Sequence, residues 1–126
     1  MARLPDALAA HFHADRHVGP PPDRHPDARL GRGEARHPAC GDHVVVWLAL
    51  REGRVDAAGF KAVGCPAALA TAAAVCGVAA GLPADADLDA ALTAAFTAAC
   101  GAPAPAHRHA LALVLRAVDA ARHDVG

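Results

Sequence analysis

The sequence predicts an α+β domain in which helices pack on one face of a small antiparallel sheet of about three strands. Hydrophobic residues make up 54% of the chain but aromatic residues only 3%. Most of the excess is alanine, the best helix former. A short β-branched stretch near the middle of the chain indicates a strand. The strands precede the helices, which is typical of α+β architecture. At 126 residues, we expect a single domain over 1–126.

The first third of the chain carries weaker signals. Residues 4–12 predict a short helix, because Leu8 and Phe12 fall four apart on one face. The Gly-Pro-Pro-Pro run at 19–22 then begins a stiff, extended segment. The pattern over 30–36 is ambiguous and fits an edge strand.

A hairpin is the strongest local prediction. Residues 44–50 read Val-Val-Val-Trp-Leu-Ala-Leu, a short and β-branched run. Arg-Glu-Gly at 51–53 predicts a tight turn, and 54–63 returns as a second strand. The two strands are therefore expected to pair antiparallel.

Three helices are predicted after the hairpin, over 66–80, 87–100 and 109–123. Pro66 suits the first position of its helix, because its missing N–H would have no partner there. Asp87 is expected to cap the second helix with its side chain. The third helix has leucine and valine on one face, as a helix packed on a sheet requires.

Charge and hydropathy exclude several classes of protein. Lys plus Arg number 12 and Asp plus Glu 13, so nothing in the balance attracts nucleic acid. No apolar run reaches the ~20 residues of a membrane span, and residues 1–15 do not resemble a signal peptide. We therefore expect a cytoplasmic protein with no membrane partner. In that compartment the four cysteines stay reduced, and metal or catalytic roles outrank disulfides.

Two cysteine motifs flank the hairpin. Cys40 and Asp42 lie just before it, and Cys65 follows its second strand. Because a hairpin runs out and back, its ends should bring these three residues into one pocket. Cys65 also precedes a predicted helix, whose dipole should favour a thiolate. The alternative, left open by spacing alone, is that both cysteines are buried small apolar residues.

Other reactive side chains fit structural roles. Cys76 and Cys100 fall within predicted helices, where burial is the favoured interpretation. Lys61 fits two interpretations, a basic group positioned beside metal ligands or a solvated strand residue.

The sequence motifs around the cysteines resemble those of the IscU/NifU family of iron–sulfur scaffold proteins. His-Pro-Ala-Cys-Gly-Asp at 37–42 resembles the family's first ligand motif. Phe-Lys-Ala-Val-Gly-Cys at 60–65 resembles the second. Arg-His-Val-Gly at 16–19, following the predicted first helix, is similar to the family's Pro-Arg-Asn-x-Gly. The resemblance covers almost the whole chain.

The resemblance implies a scaffold rather than an enzyme. Such a protein holds iron, sulfide, a nascent [2Fe-2S] cluster or zinc, and passes its cargo to apo iron–sulfur acceptor proteins. A cysteine desulfurase supplies the sulfur. Carried over by position, Cys40 and Cys65 become ligands, and Asp42 becomes the carboxylate that keeps the cluster labile. Two alternatives remain: a zinc-bound sulfur acceptor with sulfurtransferase activity, or a degenerate member that only binds partners.

The third family cysteine is missing. The family has Leu-Pro-Pro-Val-Lys-x-His-Cys where this chain has Ala-Pro-Ala-Pro-Ala-His-Arg-His at 102–109. Without gaps, His109 falls on the cysteine and is the predicted third ligand; His107 replaces it if the loop register differs by two. Histidine binds zinc and replaces cysteine in Rieske clusters. Ala106 replaces the lysine read by the family's Hsp70-type chaperone, which argues against that partner.

Overall fold

The β-branched run in the middle of the chain forms the central strand of the structure. This is a computed structural model that describes residues 18–22, 24–37, 41–102, 105 and 108–125. The predicted helix at 4–12, the predicted ligand Cys40 and the alternative ligand His107 lie outside the described residues.

The sheet has three antiparallel strands in the order β1 (Arg29–Arg36), β2 (His43–Arg51) and β3 (Arg54–Val63). The tight turn between β2 and β3 uses positive φ angles of 54° at Glu52 and 74° at Gly53. Glycine adopts such angles without a steric penalty, which explains its place in the turn. The hairpin and the edge strand are confirmed.

Three helices follow the sheet: α1 (Pro66–Ala79), α2 (Leu88–Cys100) and α3 (Arg108–Asp124). Each begins and ends within a residue of its prediction. The predicted side-chain cap at Asp87 is wrong, because this residue holds the N-cap position but makes no cap hydrogen bond. Its own N–H donates to Asp85 Oδ1 at 2.9 Å. No helix in the described part of the chain is long and apolar enough to cross a membrane.

The helices cover one face of the sheet, as the sequence predicts. Along β2, Val44, Val46 and Leu48 are fully buried and belong to the core cluster with residues of all three helices. Helix α1 packs on β3, and α3 packs on β1 and β2. The alanines of α1 are buried on most of its circumference, so small side chains let this helix lie inside the domain.

Helix α3 approaches β1 very closely. A Cβ atom on Gly33 would overlap backbone atoms of Ala117 and Ala121, and one on Gly31 would overlap Ala121 as well. Only glycine permits this approach, because a backbone neighbour cannot move aside as a flexible side chain can. The contact fixes α3 along β1 and holds the start of α3 beside the end of β1.

The free edge of β3 is paired with two loop segments. Gly19 donates its N–H to the Phe60 carbonyl at 2.6 Å at one end of the strand. At the other end, the Val55 N–H donates to the Leu82 carbonyl at 2.9 Å. These bonds cover part of a strand edge that would otherwise invite pairing with another chain.

Candidate metal site

The first and last residues of the β2–β3 hairpin lie side by side at the rim of the sheet. His43 pairs with Val63, so the residues just outside this pair are neighbours. The Asp42 side chain accepts the Cys65 N–H at Oδ1 over 3.0 Å, and its Oδ2 lies 3.3 Å from Cys65 Sγ. The prediction that the hairpin brings Asp42 and Cys65 together is confirmed.

Gly64 makes room for the carboxylate. Its φ angle is +141°, and a Cβ atom there would overlap Asp42 Oδ1. An L side chain at this position would be strained by the backbone angle as well as by the contact. The glycine before Cys65 therefore has a direct structural purpose in the site.

A closed loop leads from β1 to Asp42. The His37 N–H donates to the Asp42 carbonyl, and the Gly41 N–H donates to the His37 carbonyl, both at 2.9 Å. Gly41 has a φ of +71°, which this turn requires. The loop places the His37 ring against the His109 ring, with centroids 5.6 Å apart and planes at 65°.

His109 completes a cluster of three donors from three separate elements. It lies in the first turn of α3, with Nε2 at 4.0 Å from Asp42 Oδ2. One thiol sulfur, one imidazole nitrogen and one carboxylate oxygen, from Cys65, His109 and Asp42, lie within 4.8 Å of one another. In tetrahedral zinc sites, bonds of about 2.0–2.3 Å place ligand atoms about 3.3–3.8 Å apart. The cluster is thus close to the geometry of a single bound ion.

The charge balance of the site also suits a cation. Asp42 is only 1% exposed. Within the described ranges no lysine or arginine is seen to form an ion pair with it, and the His109 imidazole lies 4.0 Å from its Oδ2. A buried carboxylate is costly unless it is paired or coordinates a metal. The donors around Asp42 are of the types that bind zinc and iron.

The thiol of Cys65 does not behave as the helix dipole alone predicts. Burial raises its pKa above the usual 9.0, and the hydrogen bond and charge of Asp42 raise it further. The backbone N–H groups of Ala68 and Ala67 act in the opposite direction and do not prevail. The expected lowering of the pKa by the helix dipole is therefore wrong for the metal-free chain: the pKa of the Cys65 thiol is raised, and the thiol donates to Asp42. A bound metal would have to displace that proton.

Comparison with known proteins decides the family. The family model described as the NifU-like N terminal domain matches residues 5–124. The chain belongs to this family. Its fold is similar to a putative iron–sulfur cluster assembly scaffold protein for the SUF system from thermophilic Fervidobacterium islandicum AW-1, at 12% identity and a TM-score of 0.64. That likeness covers 93% of this chain and 94% of the other.

A nitrogen-fixing NifU-like protein (N-terminal) from Brucella abortus is also similar, at 17% identity and a TM-score of 0.64, over 95% of this chain and 90% of that one. At such identities the two structures show the fold alone. No curated protein sequence matches the chain. The NifU-like family and the α+β fold are confirmed, whereas the ligand roles of Cys40, Asp42, Cys65 and His109 stay predictions.

The remaining predicted residues lie away from the donors of the NifU-like site. Lys61 is exposed, and it alternates with Phe60 and Ala62, which pack towards the helices, so it lies on the opposite face of the sheet. In the described part of the chain it makes no hydrogen bond or ion pair with the three donors. Cys76 lies in the core, 3% exposed, where burial raises its pKa to about 12. Cys100 is half-buried, and burial raises its pKa too.

His37 is the residue at this site to which the sequence assigned no role. It begins the first cysteine motif and precedes Cys40 by three residues. The donor cluster found in the described part of the chain does not include it. Its position against His109 depends on the packing of β1 and α3, which no local pattern encodes.

Proposed function

We propose that this NifU-like chain is a scaffold for iron–sulfur cluster assembly. It holds iron, sulfide or a nascent [2Fe-2S] cluster on Cys40, Asp42, Cys65 and His109, and passes its cargo to acceptor proteins. One observation carries the proposal: the Asp42 carboxylate is buried between the Cys65 thiol and the His109 imidazole, where a bound cation would compensate its charge.

The site combines fixed donors with an open side. Asp42 lies just before β2, Cys65 is the N-cap of α1, and His109 lies in the first turn of α3, so the packing of the core sets their spacing. Asp42 is buried, but Cys65 and His109 are half-exposed and reachable by another protein. A carboxylate is a harder and more exchangeable ligand for iron than a thiolate. These features suit cargo that is bound and then released.

The proposed partners follow from the same cargo. A cysteine desulfurase would deliver sulfur, and apo iron–sulfur proteins would accept the finished cluster. We place this exchange in the cytoplasm, where free cysteines stay reduced. An Hsp70-type chaperone is not part of the proposal, because Ala106 replaces the lysine that such a chaperone reads in the family.

A zinc-bound sulfur acceptor is the second candidate. The observation in its favour is the compactness of the described donors, which lie within 4.8 Å and include one thiol. Such a set fits a single ion as well as it fits one side of a cluster. In that case a cysteine thiolate of the site attacks the outer sulfur of the desulfurase's persulfide, so that the persulfide forms on the site and the desulfurase cysteine is released as a thiol, while the metal organises the site.

Metal and sulfide analysis after anaerobic purification separates these functions. The protein is reconstituted with iron, cysteine and a cysteine desulfurase, and transfer to an apo-ferredoxin is timed. Bound iron with labile sulfide that reaches the acceptor supports the scaffold. Zinc alone, with a persulfide on the protein by mass spectrometry, supports the sulfur acceptor. If the protein holds neither metal nor sulfide, the remaining function is that of a degenerate family member that only binds partners.

Two variants tie the result to the site. Cys65→Ser should abolish cluster retention, because it removes a described thiol donor. Cys76→Ser is the matched control, because this cysteine is buried in the core away from the donor cluster. If Cys65→Ser retained as much cluster as Cys76→Ser, the cargo would be bound elsewhere.

A further inference from the structure

The sheet face opposite the helices carries a basic surface beside the donor site. Arg36, His43 and Val63 form one cross-strand row at the open end of the hairpin, and Lys61 precedes Val63 by two residues on β3. Their neighbours along each strand pack towards the helices, so these four side chains lie on the opposite face. We call these four residues the rim face. Because Cys65 follows Val63 by two residues, the rim face borders the donors.

The cations of the rim face form no ion pair with the described part of the chain. Arg36 and Lys61 are both exposed. Glu34 lies on the same face of the sheet, but it bonds to His43 at 3.0 Å and to Arg32 at 3.4 Å. Arg36 acts on Glu34 only as a charge, without an ion-pair contact. A partner that brings its own carboxylates would therefore find two available cations beside the site.

The charge at the turn of the hairpin is different. There Arg51 pairs with Glu52 at 3.8 Å. The Ala84 N–H also donates to the Gly53 carbonyl at 2.8 Å, so the three aspartates of 85–89 follow directly beside the turn. Although the net charge is -1, the site end of the hairpin therefore has the more positive surface. Such a distribution turns an acidic partner towards the site as it approaches.

Val63 adds a small apolar contact to the rim face. Its side chain is 62% exposed, the highest value among the large hydrophobic residues in the described ranges. One apolar side chain beside cations suits a short-lived contact, because electrostatic complementarity raises association rates more than affinity. A cluster acceptor has to leave after each transfer. It also has to lie over the site to replace several ligands, whereas a sulfur donor has to reach only one thiol.

We propose that the rim face docks the apo iron–sulfur acceptor, and that the acceptor meets it with an acidic patch beside its own cluster-binding cysteines. This inference rests on the proposed function, because it names the surface and the chemistry of the partner that receives the cluster. The docking itself uses fixed charges of the chain, so it occurs without a cluster and can be measured on the metal-free protein.

The binding test uses the ¹⁵N-labelled, metal-free full chain and an apo-ferredoxin with an acidic surface around its cluster site. In about 0.1 M salt, the amide signals of Arg36, Lys61 and Val63 should shift on titration. Arg36→Glu and Lys61→Glu should each weaken binding at least about tenfold. Arg29→Glu is the matched control, because it makes the same charge change at an exposed position of β1 about 23 Å from Arg36. That distance exceeds the screening length of about 10 Å, so its affinity should equal that of the wild type.

Cluster transfer from the reconstituted protein gives the second readout. Arg36→Glu and Lys61→Glu should retain as much cluster as the wild type, because neither side chain is a proposed ligand. They should transfer it to the ferredoxin at least about tenfold more slowly and with less dependence on salt. A ferredoxin with lysines in place of its acidic patch should reverse the order, binding both variants more tightly than the wild type. Sulfur delivery by the cysteine desulfurase should be unchanged in both variants.

Two results would overturn the inference and leave the proposed function standing. If Arg36→Glu and Lys61→Glu bind the ferredoxin as Arg29→Glu does, the rim face is only a solvated surface. If they slow sulfur delivery and leave ferredoxin binding unchanged, the rim face docks the desulfurase instead. Failure of the proposed function has a separate signature, in which the ferredoxin binds at the rim face of a chain that never loads a cluster.

Discussion

The two ends of the β2–β3 hairpin handle charge in opposite ways. At the turn, Arg51 pairs with Glu52 at 3.8 Å, and the glutamate side chain is 81% exposed. At the open end, the Asp42 side chain is 2% exposed and lies between a thiol and an imidazole. An exposed pair contributes about 0–1 kcal/mol, because water screens it. Water does not solvate the buried Asp42 carboxylate in this way, so its charge is costly unless a cation compensates it. This difference supports the proposal that the open end of the hairpin binds a cation.

The glycines at the two ends of the hairpin also differ, because only the one at the open end contacts the buried carboxylate. Gly53 in the turn and Gly64 at the site both have positive φ angles, so both satisfy a backbone requirement. A Cβ atom on Gly53 would meet nothing within 4 Å, whereas one on Gly64 would overlap the Asp42 carboxylate. Only the second glycine therefore affects the position of a predicted ligand atom.

Gly64→Ala is expected to give the largest effect. Backbone strain and overlap with Asp42 together should lower the free energy of unfolding by about 3 kcal/mol. Zinc binding should fall as the carboxylate is displaced. Gly53→Ala, the matched control, should lose about 1 kcal/mol from its backbone angle and keep its zinc affinity. Urea unfolding and chelator competition measure both; identical behaviour of the two variants would show that Gly64 does not shape the site.

We expect Cys76 to stabilise the fold and Cys65 to bind metal. Cys76→Ser buries a hydroxyl in an apolar core and should cost about 1–3 kcal/mol of unfolding free energy. Cys65→Ser should change stability by no more than about 0.5 kcal/mol, because the new hydroxyl can still donate to Asp42. Unfolding in urea gives the free energies. Zinc affinity should fall more in Cys65→Ser than in Cys76→Ser, the reverse of the order of the stability losses. A larger stability loss for Cys65→Ser would contradict this division.

The smallest effect is expected from an exposed carboxylate on the sheet face opposite the helices. The hydrogen bond from His43 lowers the pKa of Glu34 below its usual 4.5, and the charges of Arg32, His43 and Arg36 add to this. A lowered folded pKa stabilises the fold above the unfolded value, and this stability is lost as pH falls through the folded pKa. Glu34→Gln should therefore melt slightly below the wild type near neutrality, and at the same temperature in strong acid. High salt should also reduce the difference. A difference in melting temperature that grows as the pH falls would contradict this prediction.

Local patterns predicted most of the fold. The β-branched run, the Arg-Glu-Gly turn and the alanine-rich stretches each specify one element without help from distant residues. Features that depend on distant contacts were not predicted. The pairing of Gly19 and Leu82 along the edge of β3 is one case. The contact of Gly33 with the backbone of Ala117 and Ala121 is another.

The site was predicted in part for the same reason. A hairpin necessarily brings its ends together, so Asp42 and Cys65 were expected to meet. His109 was chosen from the family resemblance, and its ligand role stays a prediction although it lies 4.0 Å from Asp42. The pKa of Cys65 was mispredicted, because burial beside a carboxylate outweighs the helix N-terminus. His37 was not assigned a role, because its contact with His109 follows from the packing of α3.

Cobalt titration of the metal-free protein tests most directly whether the buried carboxylate marks a metal site. One equivalent of Co²⁺ should produce tetrahedral ligand-field bands together with a sulfur-to-cobalt charge-transfer band. Cys65→Ser should lose the charge-transfer band, and Asp42→Asn and His109→Ala should bind at least about tenfold more weakly. Arg51→Ala, at the other end of the hairpin, should be unchanged. A wild-type protein that gives neither band, or three site variants that titrate like the wild type, would contradict a metal site at Asp42.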